Sequence, residues 1–250
     1  MITGASRGIG RAIALRFAEE GCHVAVAATS VTPLEEVAEL ARQIGVKASV
    51  QNLDVTMRSD CFNAVEKVRS ELGGLDILVN AAGIARTSSF VDYAEADFRA
   101  VFDVNVYGPI HLMQAVLPHM QRRQSGKIVN IASTAGKWAS PNQSAYNASK
   151  HALVGLTRCI ALEAAPFRIN VNAICPGLVQ TEMLTNAFGQ LAAANDKSLD
   201  EILAPILART AMKRILDPSE IAALAVYLAS SESDGMTGQS IVIDSGMLFI

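Results

Sequence analysis

Thr3-Gly4-Ala5-Ser6-Arg7-Gly8-Ile9-Gly10 is followed by a helical pattern, Ile13 to Glu20, and then by a short Val-rich run, Cys22 to Ala28. Glycines at 4, 8 and 10 permit a tight turn and let the backbone approach a pyrophosphate closely. The helix behind them supplies N–H groups and the positive end of its dipole. The spacing is G-x-x-x-G-x-G, not G-x-G-x-x-G, so the turn by itself reads either as a phosphate cradle or as a structural loop.

Working outward, the alternation of strand and helix continues to the end of the chain. Leu34 to Ile44 has amphipathic helical spacing, and Ala48 to Leu53 is a strand ending at Asp54. Cys61 to Leu72 is a helix closed by Gly73-Gly74, and Leu75 to Asn80 a strand running into Ala81-Ala82-Gly83. Glu95 to Met120 reads as one long helix or two, with a break or kink expected at Gly108-Pro109. Lys127 to Ala132 is a strand, Ser144 to Ala164 a long helix, and Ile169 to Ile174 a strand running into Cys175-Pro176-Gly177. Pro218 to Leu228 is a helix and Ser240 to Asp244 a last strand. Strands apolar throughout, each followed by a helix, predict an α/β fold: a doubly wound parallel sheet of Rossmann type with helices on both faces. Ligands of such sheets bind beyond the carboxyl ends of the strands. Residues 184–212 interrupt the rhythm with Gly189, a polar Asn195-Asp196-Lys197 tip and Pro205. Being too short for a core of their own, they are expected to form a helical substrate lid on a single domain spanning 1–250.

Half of the 250 residues are hydrophobic, enough for one large core. A net charge of −3 argues against a dedicated nucleic-acid binder. Cys22, Cys61, Cys159 and Cys175 are scattered, with no C-x-x-C pair, and read as reduced packing residues of a cytoplasmic protein. The histidines show no metal-ligand spacing, so no metal is expected. No apolar run is long enough for a membrane span, and the N-terminus has no targeting pattern.

Chemistry concentrates in Ser144-Ala145-Tyr146-Asn147-Ala148-Ser149-Lys150. Four residues apart on a helix, Tyr146 and Lys150 share one face. An ammonium beside a phenol favours the phenolate, so the tyrosine pKa is expected to fall toward working pH. Ser133 follows the strand Lys127 to Ala132 and so falls at the ligand edge of the sheet. It lacks the G-x-S-x-G elbow of an acyl-enzyme nucleophile. After the second strand, Ala28-Thr29-Ser30 offers no acid before Glu35 to bond an adenosine 2′-hydroxyl, and Arg7 in the turn is placed to meet a 2′-phosphate. Both features favour NADP(H) over NAD(H), although Arg7 also reads as a solvated surface charge.

T-G-x-x-x-G-x-G, Asn80-Ala81-Ala82-Gly83, Ser133 thirteen residues before Tyr146, Tyr146-x-x-x-Lys150, and Pro176-Gly177 with Thr181 stand in register along essentially the whole chain. In this set the chain resembles the short-chain dehydrogenase/reductase family. The resemblance implies that Ser133 polarises a substrate carbonyl and that Tyr146 exchanges a proton with its oxygen. It implies that Lys150 lowers the tyrosine pKa and bonds the nicotinamide ribose, while Asn105, in Asp103-Val104-Asn105-Val106, anchors a water relay to the lysine. It assigns the cofactor to Gly4, Ser6, Arg7, Gly8, Ile9 and Gly10, to Thr29 and Ser30, and to Asp54 and Val55 at the adenine. It adds Asn80, Ala81 and Gly83, then Pro176 and Gly177, and Val179 and Thr181 at the carboxamide, with transfer of the pro-S hydride. Asp54 also reads as a turn cap, Thr181 as a helix cap, and Asn105 as a residue satisfying a kinked backbone.

For the substrate, Ala28-Thr29-Ser30 and the end from Gly238 to Met247 resemble β-ketoacyl-ACP reductases. Ile128 to Lys137 and Asn170 to Gly177 resemble aromatic-polyketide ketoreductases. The expected reaction is NADP(H)-dependent reduction of a ketone, a 3-oxoacyl thioester or polyketide-like compound. The rival activities are oxidation of a hydroxy acid or secondary alcohol, and a non-catalytic dinucleotide sensor or scaffold. Trp138, between Ser133 and Tyr146, either lines the pocket or packs on the lid. Arg122-Arg123 and Lys213-Arg214 either receive an acidic acyl carrier protein or are solvated surface pairs. The family commonly forms homotetramers, and the apolar end Met247-Leu248-Phe249-Ile250 suits a subunit contact. Three features depart from the family pattern: only Met1-Ile2 precede Thr3, Ala81 replaces a frequent asparagine, and Ser245 a frequent glycine.

Overall fold

The computed structural model describes residues 1–194 and 196–249. Asn195 of the polar tip and Ile250 of the apolar end lie outside the described residues.

The described residues form a seven-stranded parallel sheet in the order β3-β2-β1-β4-β5-β6-β7. Its strands are β1 (Ile2–Thr3), β2 (Val24–Ala28), β3 (Ala48–Asn52), β4 (Ile77–Asn80), β5 (Gly126–Ile131), β6 (Ile169–Pro176) and β7 (Ser240–Ile243). The order reverses direction between β1 and β4, so the crevice of the sheet opens where Thr3 and Asn80 end their strands. Although β1 is short, its pairing runs through Met1, whose terminal nitrogen donates to the Ile77 carbonyl at 2.7 Å and whose carbonyl accepts from Val79 at 2.8 Å.

Helices cover both faces because the central strands are largely apolar on both, whereas β3 at the edge carries Ser49 and Gln51 on one of its faces. In β2, Val24 and Val26 face a core shared with α1 (Gly8–Glu19), α2 (Val31–Ile44) and α9 (Pro218–Ala229), while Ala25 and Ala27 face the other. That second core is filled by α3 (Arg58–Leu72), α5 (Gly108–Arg123) and α6 (Ser144–Ala164). Gly45 and Gly73 end α2 and α3 in the left-handed conformation, at φ 106° and 81°, as helix stops at these glycines require.

The expected break at Gly108-Pro109 takes another form. Between α4 (Glu95–Phe102) and α5 the chain stays helical but widens into a π-turn, Asp103–Tyr107, with the Gly108 amide bonded back to the Asp103 carbonyl. Pro109 has no N–H for the carbonyl four residues earlier, that of Asn105, so the irregularity falls one turn before the proline.

The 184–212 segment is helical: α7 (Glu182–Ala194) and α8 (Leu199–Leu207), the latter started by a Ser198–Glu201 capping box. Its exit is fastened to the last residues of the chain by amides of Ala211 and Met212 bonded to Gly246 and Ser245 carbonyls, both at 3.0 Å. Among the described residues no helix is long and apolar enough to cross a membrane.

Candidate active site

The glycine-rich turn is held by close packing. Gly4 has φ 63°, and a Cβ there would stand 2.8 Å from Ala82 Cα and 2.9 Å from the Ala81 carbonyl oxygen. A Cβ on Gly10 would come within 2.3 Å of the Gly4 oxygen. These two glycines let the turn nest against the Ala81–Ala82 backbone and on itself. Beyond it, α1 begins with neither a side-chain cap nor an acidic residue in its first turn. Its leading N–H groups therefore suit an anion, and the cradle fits the pyrophosphate of a dinucleotide.

Thr3, absent from the residues singled out in the sequence, ties the two loops of the crevice together. Its hydroxyl accepts from the Ala81 and Ala82 amides at 3.1 and 3.2 Å and donates to the Val79 carbonyl at 3.4 Å. The Thr-Gly pair at the end of β1 was the available signal, but only the fold shows what the hydroxyl meets.

On the next strand pair the structure brings Ser133, Tyr146 and Lys150 together. Ser133 follows β5, its Oγ accepting from the Ala135 amide at 3.1 Å, and it lies close enough to the Tyr146 hydroxyl to favour its ionisation. The Lys150 ammonium lies 5.6 Å from the Tyr146 ring centroid and donates to the Ile131 carbonyl at 2.9 Å. Burial lowers the Lys150 pKa to about 8. Burial also pushes the Tyr146 pKa up, with the neighbouring Ser133 hydroxyl pulling the other way. This corrects the expected fall: enclosure of the phenol outweighs the influence of Ser133, and the lysine ammonium faces the ring and the Ile131 carbonyl.

Asn105 sits in the π-turn, fully buried. Its side chain clamps Ile84, accepting from the amide and donating to the carbonyl, both at 2.9 Å, and also donates to Ser149 Oγ at 3.0 Å. Ser149 in turn donates to the Tyr146 carbonyl at 2.7 Å. A Cβ on Gly83 would stand 3.4 Å from Asn105 Oδ1 and 3.6 Å from Lys150 Nζ, so these three residues converge. The side chain thus braces the loop after β4, not the kinked helix, while the Asn105 carbonyl is left without an α-helical partner.

Other residues read from the sequence are placed less uniformly. Thr29 and Ser30 are exposed at the end of β2. Arg7 is exposed and paired with Glu182 at 2.9 Å, so a phosphate there would compete with a carboxylate. Such an exposed pair is worth only about 0–1 kcal/mol. Asp54 caps its own turn through the amide and hydroxyl of Thr56, at 2.9 and 2.8 Å, and Val55 packs against Gly108. The Asn80 side chain turns into the sheet and donates to Asn130 at 2.8 Å; Asn130 passes the chain of bonds to Thr157 at 2.9 Å. Asn80 therefore braces β4 against β5 and α6, leaving the crevice to its neighbours Ala81 and Gly83. Gly177 is pressed against Asp244, where a Cβ would lie 2.7 Å away. Val179 is bridged to Leu216, and Thr181 accepts from Leu184 at 3.4 Å as a cap for α7. The Thr181 methyl also stands 3.2 Å from where a Gly8 Cβ would be, which brings the loop after β6 onto the glycine-rich turn. Trp138 is half-buried beneath the Arg209 guanidinium, 5.0 Å from its ring.

A parallel sheet with a glycine cradle and an uncapped helix start at its reversal point defines a dinucleotide-binding α/β protein. Comparison with known proteins narrows the class. The family described as Enoyl-(Acyl carrier protein) reductase matches residues 4–248. The uncharacterized oxidoreductase YxjF of Bacillus subtilis is 37% identical over 250 residues, covering 98% of this chain and 96% of its own. The 3-oxoacyl-[acyl-carrier-protein] reductase FabG of Thermotoga maritima is 37% identical over 248 residues, covering 99% and 96%. The crystal structure of NAD+-bound xylitol dehydrogenase superposes with a TM-score of 0.91 at 34% identity, covering 96% of this chain and 95% of that one. The chain belongs to the short-chain dehydrogenase/reductase family and is an oxidoreductase using a nicotinamide dinucleotide.

Proposed function

We propose that the protein reduces a ketone, a 3-oxoacyl thioester or related compound, to a secondary alcohol with NADPH. The observation that carries this reading is the convergence of Ser133, Tyr146 and the buried Lys150, whose ammonium lies 5.6 Å from the Tyr146 ring. The nicotinamide, when bound, supplies the hydride. The chain's residues manage the oxygen and the proton. A carbonyl oxygen bound between Ser133 and Tyr146 would accept a hydrogen bond from each as negative charge grows on it. The raised pKa keeps Tyr146 protonated, hence a donor, at neutral pH. Lys150 stands behind the ring to stabilise the phenolate left after donation, and the Asn105 carbonyl is free to hold a water that returns a proton through Lys150. The turn Gly4 to Gly10 holds the pyrophosphate, and Thr181 and Val179 hold the carboxamide end.

NADPH is favoured because Ala28-Thr29-Ser30 ends β2 without a carboxylate that would repel a 2′-phosphate. The FabG relative's printed activity, reduction of a 3-oxoacyl group on a carrier protein, supports the thioester class. α7 and α8 act as the substrate lid of one dinucleotide-binding domain, and the protein works as a cytoplasmic homotetramer. The test is the oxidation of NADPH and NADH, followed at 340 nm, with 3-oxoacyl thioesters and with the corresponding alcohols in reverse. Ketone-dependent NADPH oxidation supports the proposal; a strong preference for NADH, or turnover of alcohols only, contradicts it.

A further inference from the structure

Arg209 emerges from the end of α8 at the rim of the candidate site. Its position is fixed from both sides. Its own amide bonds the Ile206 carbonyl at 3.1 Å, and Thr210, buried, donates its hydroxyl to the Leu207 carbonyl at 2.9 Å. The surface under its guanidinium is equally fixed. The Trp138 amide donates to the Thr134 carbonyl at 3.1 Å and its carbonyl accepts from Asn147 at 3.0 Å, so the indole is anchored to the neighbours of Ser133 and Tyr146. Stacking on an indole orients a guanidinium without using its N–H groups. Arg209 has no carboxylate partner and donates no side-chain hydrogen bond among the described residues. Arg214, five residues on, is by contrast gripped by both Glu220 oxygens at 2.7 and 2.6 Å.

The electrostatic setting points the same way. The segment from Ser133 to Lys150, which supplies Trp138 and Tyr146, contains no aspartate or glutamate and holds Lys137 and Lys150. A planar, preoriented guanidinium with no carboxylate partner among the described residues suits bidentate recognition of an oxyanion.

We propose that Arg209, stacked on Trp138 at the rim of the Ser133–Tyr146 site, reads a negative charge carried by the substrate, a carboxylate or phosphate on the same molecule as the ketone. The inference deepens the ketone-reductase reading and rests on it for the word substrate. The anion has two sources, a free 3-oxo acid or the phosphates of a thioester carrier, which paired probes separate: 3-oxobutanoate against its ethyl ester, and acetoacetyl-CoA against the uncharged acetoacetyl-N-acetylcysteamine.

Trp138 is the only tryptophan in the chain, so its fluorescence reports on Arg209 independently of turnover. Wild type, Arg209→Met and Arg209→Lys are titrated with all four probes, by indole fluorescence and by kcat and KM with NADPH. The expected result is a saturable fluorescence response to the anionic member of one pair. Arg209→Met should abolish that response and raise KM for that member about 10- to 100-fold, the worth of a charge-assisted hydrogen bond, with kcat and the neutral member unchanged. Arg209→Lys should fall between. A wild type whose indole does not respond to either anion overturns the inference, as does an Arg209→Met variant that loses charged and neutral members alike. A charge-dependent response without turnover of any probe leaves the anion site standing and overturns the ketone-reductase reading instead.

Discussion

Replacing Lys150 by methionine should stabilise the protein while destroying its activity, and the gain should shrink as pH rises. Lys150 is buried, and burial lowers its pKa from 10.5 to about 8. At neutral pH the ammonium is charged in both folded and unfolded chains, and the folded state carries the cost of holding it out of water. That difference of roughly 2.5 pKa units corresponds to about 3 kcal/mol of opposed stability. Losing the bond to the Ile131 carbonyl takes back about 1.5–3 kcal/mol, so the net effect at pH 7 lies between roughly zero and 2 kcal/mol of stabilisation. The pH dependence is sharper, because comparing the two proteins cancels every other titrating group. With a depressed folded pKa, the folded chain releases its proton first, near 8, and the unfolded chain only near 10.5. Wild-type stability relative to the variant therefore rises across that window, by about 2 kcal/mol between pH 7 and 9.5. Urea unfolding at these two pH values measures it. A Lys150→Met variant whose stability difference from wild type does not change with pH would refute the reasoning.

Two further substitutions probe the scaffold. Gly4→Ala forces a Cβ to 2.8–2.9 Å of the Ala81–Ala82 backbone at φ 63°, and should cost about 2–4 kcal/mol in urea unfolding and weaken NADPH binding measured by nucleotide fluorescence. Asn105→Ala strips the Ile84 amide and carbonyl of their partners and should cost about 2–4 kcal/mol, with faster amide exchange at Ile84 as the local readout.

Largely apolar strands and the Gly73-Gly74 stop of α3 are local signals, which is why the sheet, its helices and the order of the motifs could be read from the sequence. So could the clustering of Ser133, Tyr146 and Lys150, since a strand end and one helix face suffice to place them. What escaped depended on contacts distant in the chain or on burial. Arg7 meets Glu182, and Thr3 meets Ala81 and Ala82, only because the sheet brings their loops side by side. Asn80 sits in a binding motif, yet its partner Asn130 lies within the sheet. The direction of the Tyr146 pKa required knowing how completely the phenol is enclosed. Pro109 signalled an irregular helix, but the irregularity is a π-turn that falls one turn before it and contains Asn105.

The central claim, that Tyr146 hands a proton to a substrate carbonyl, is tested most directly by Tyr146→Phe. In this variant NADPH oxidation with a 3-oxoacyl thioester should fall by at least about a hundredfold while NADPH binding, followed by nucleotide fluorescence, stays within about a factor of three of wild type. Turnover by the phenylalanine variant at the wild-type rate would contradict it.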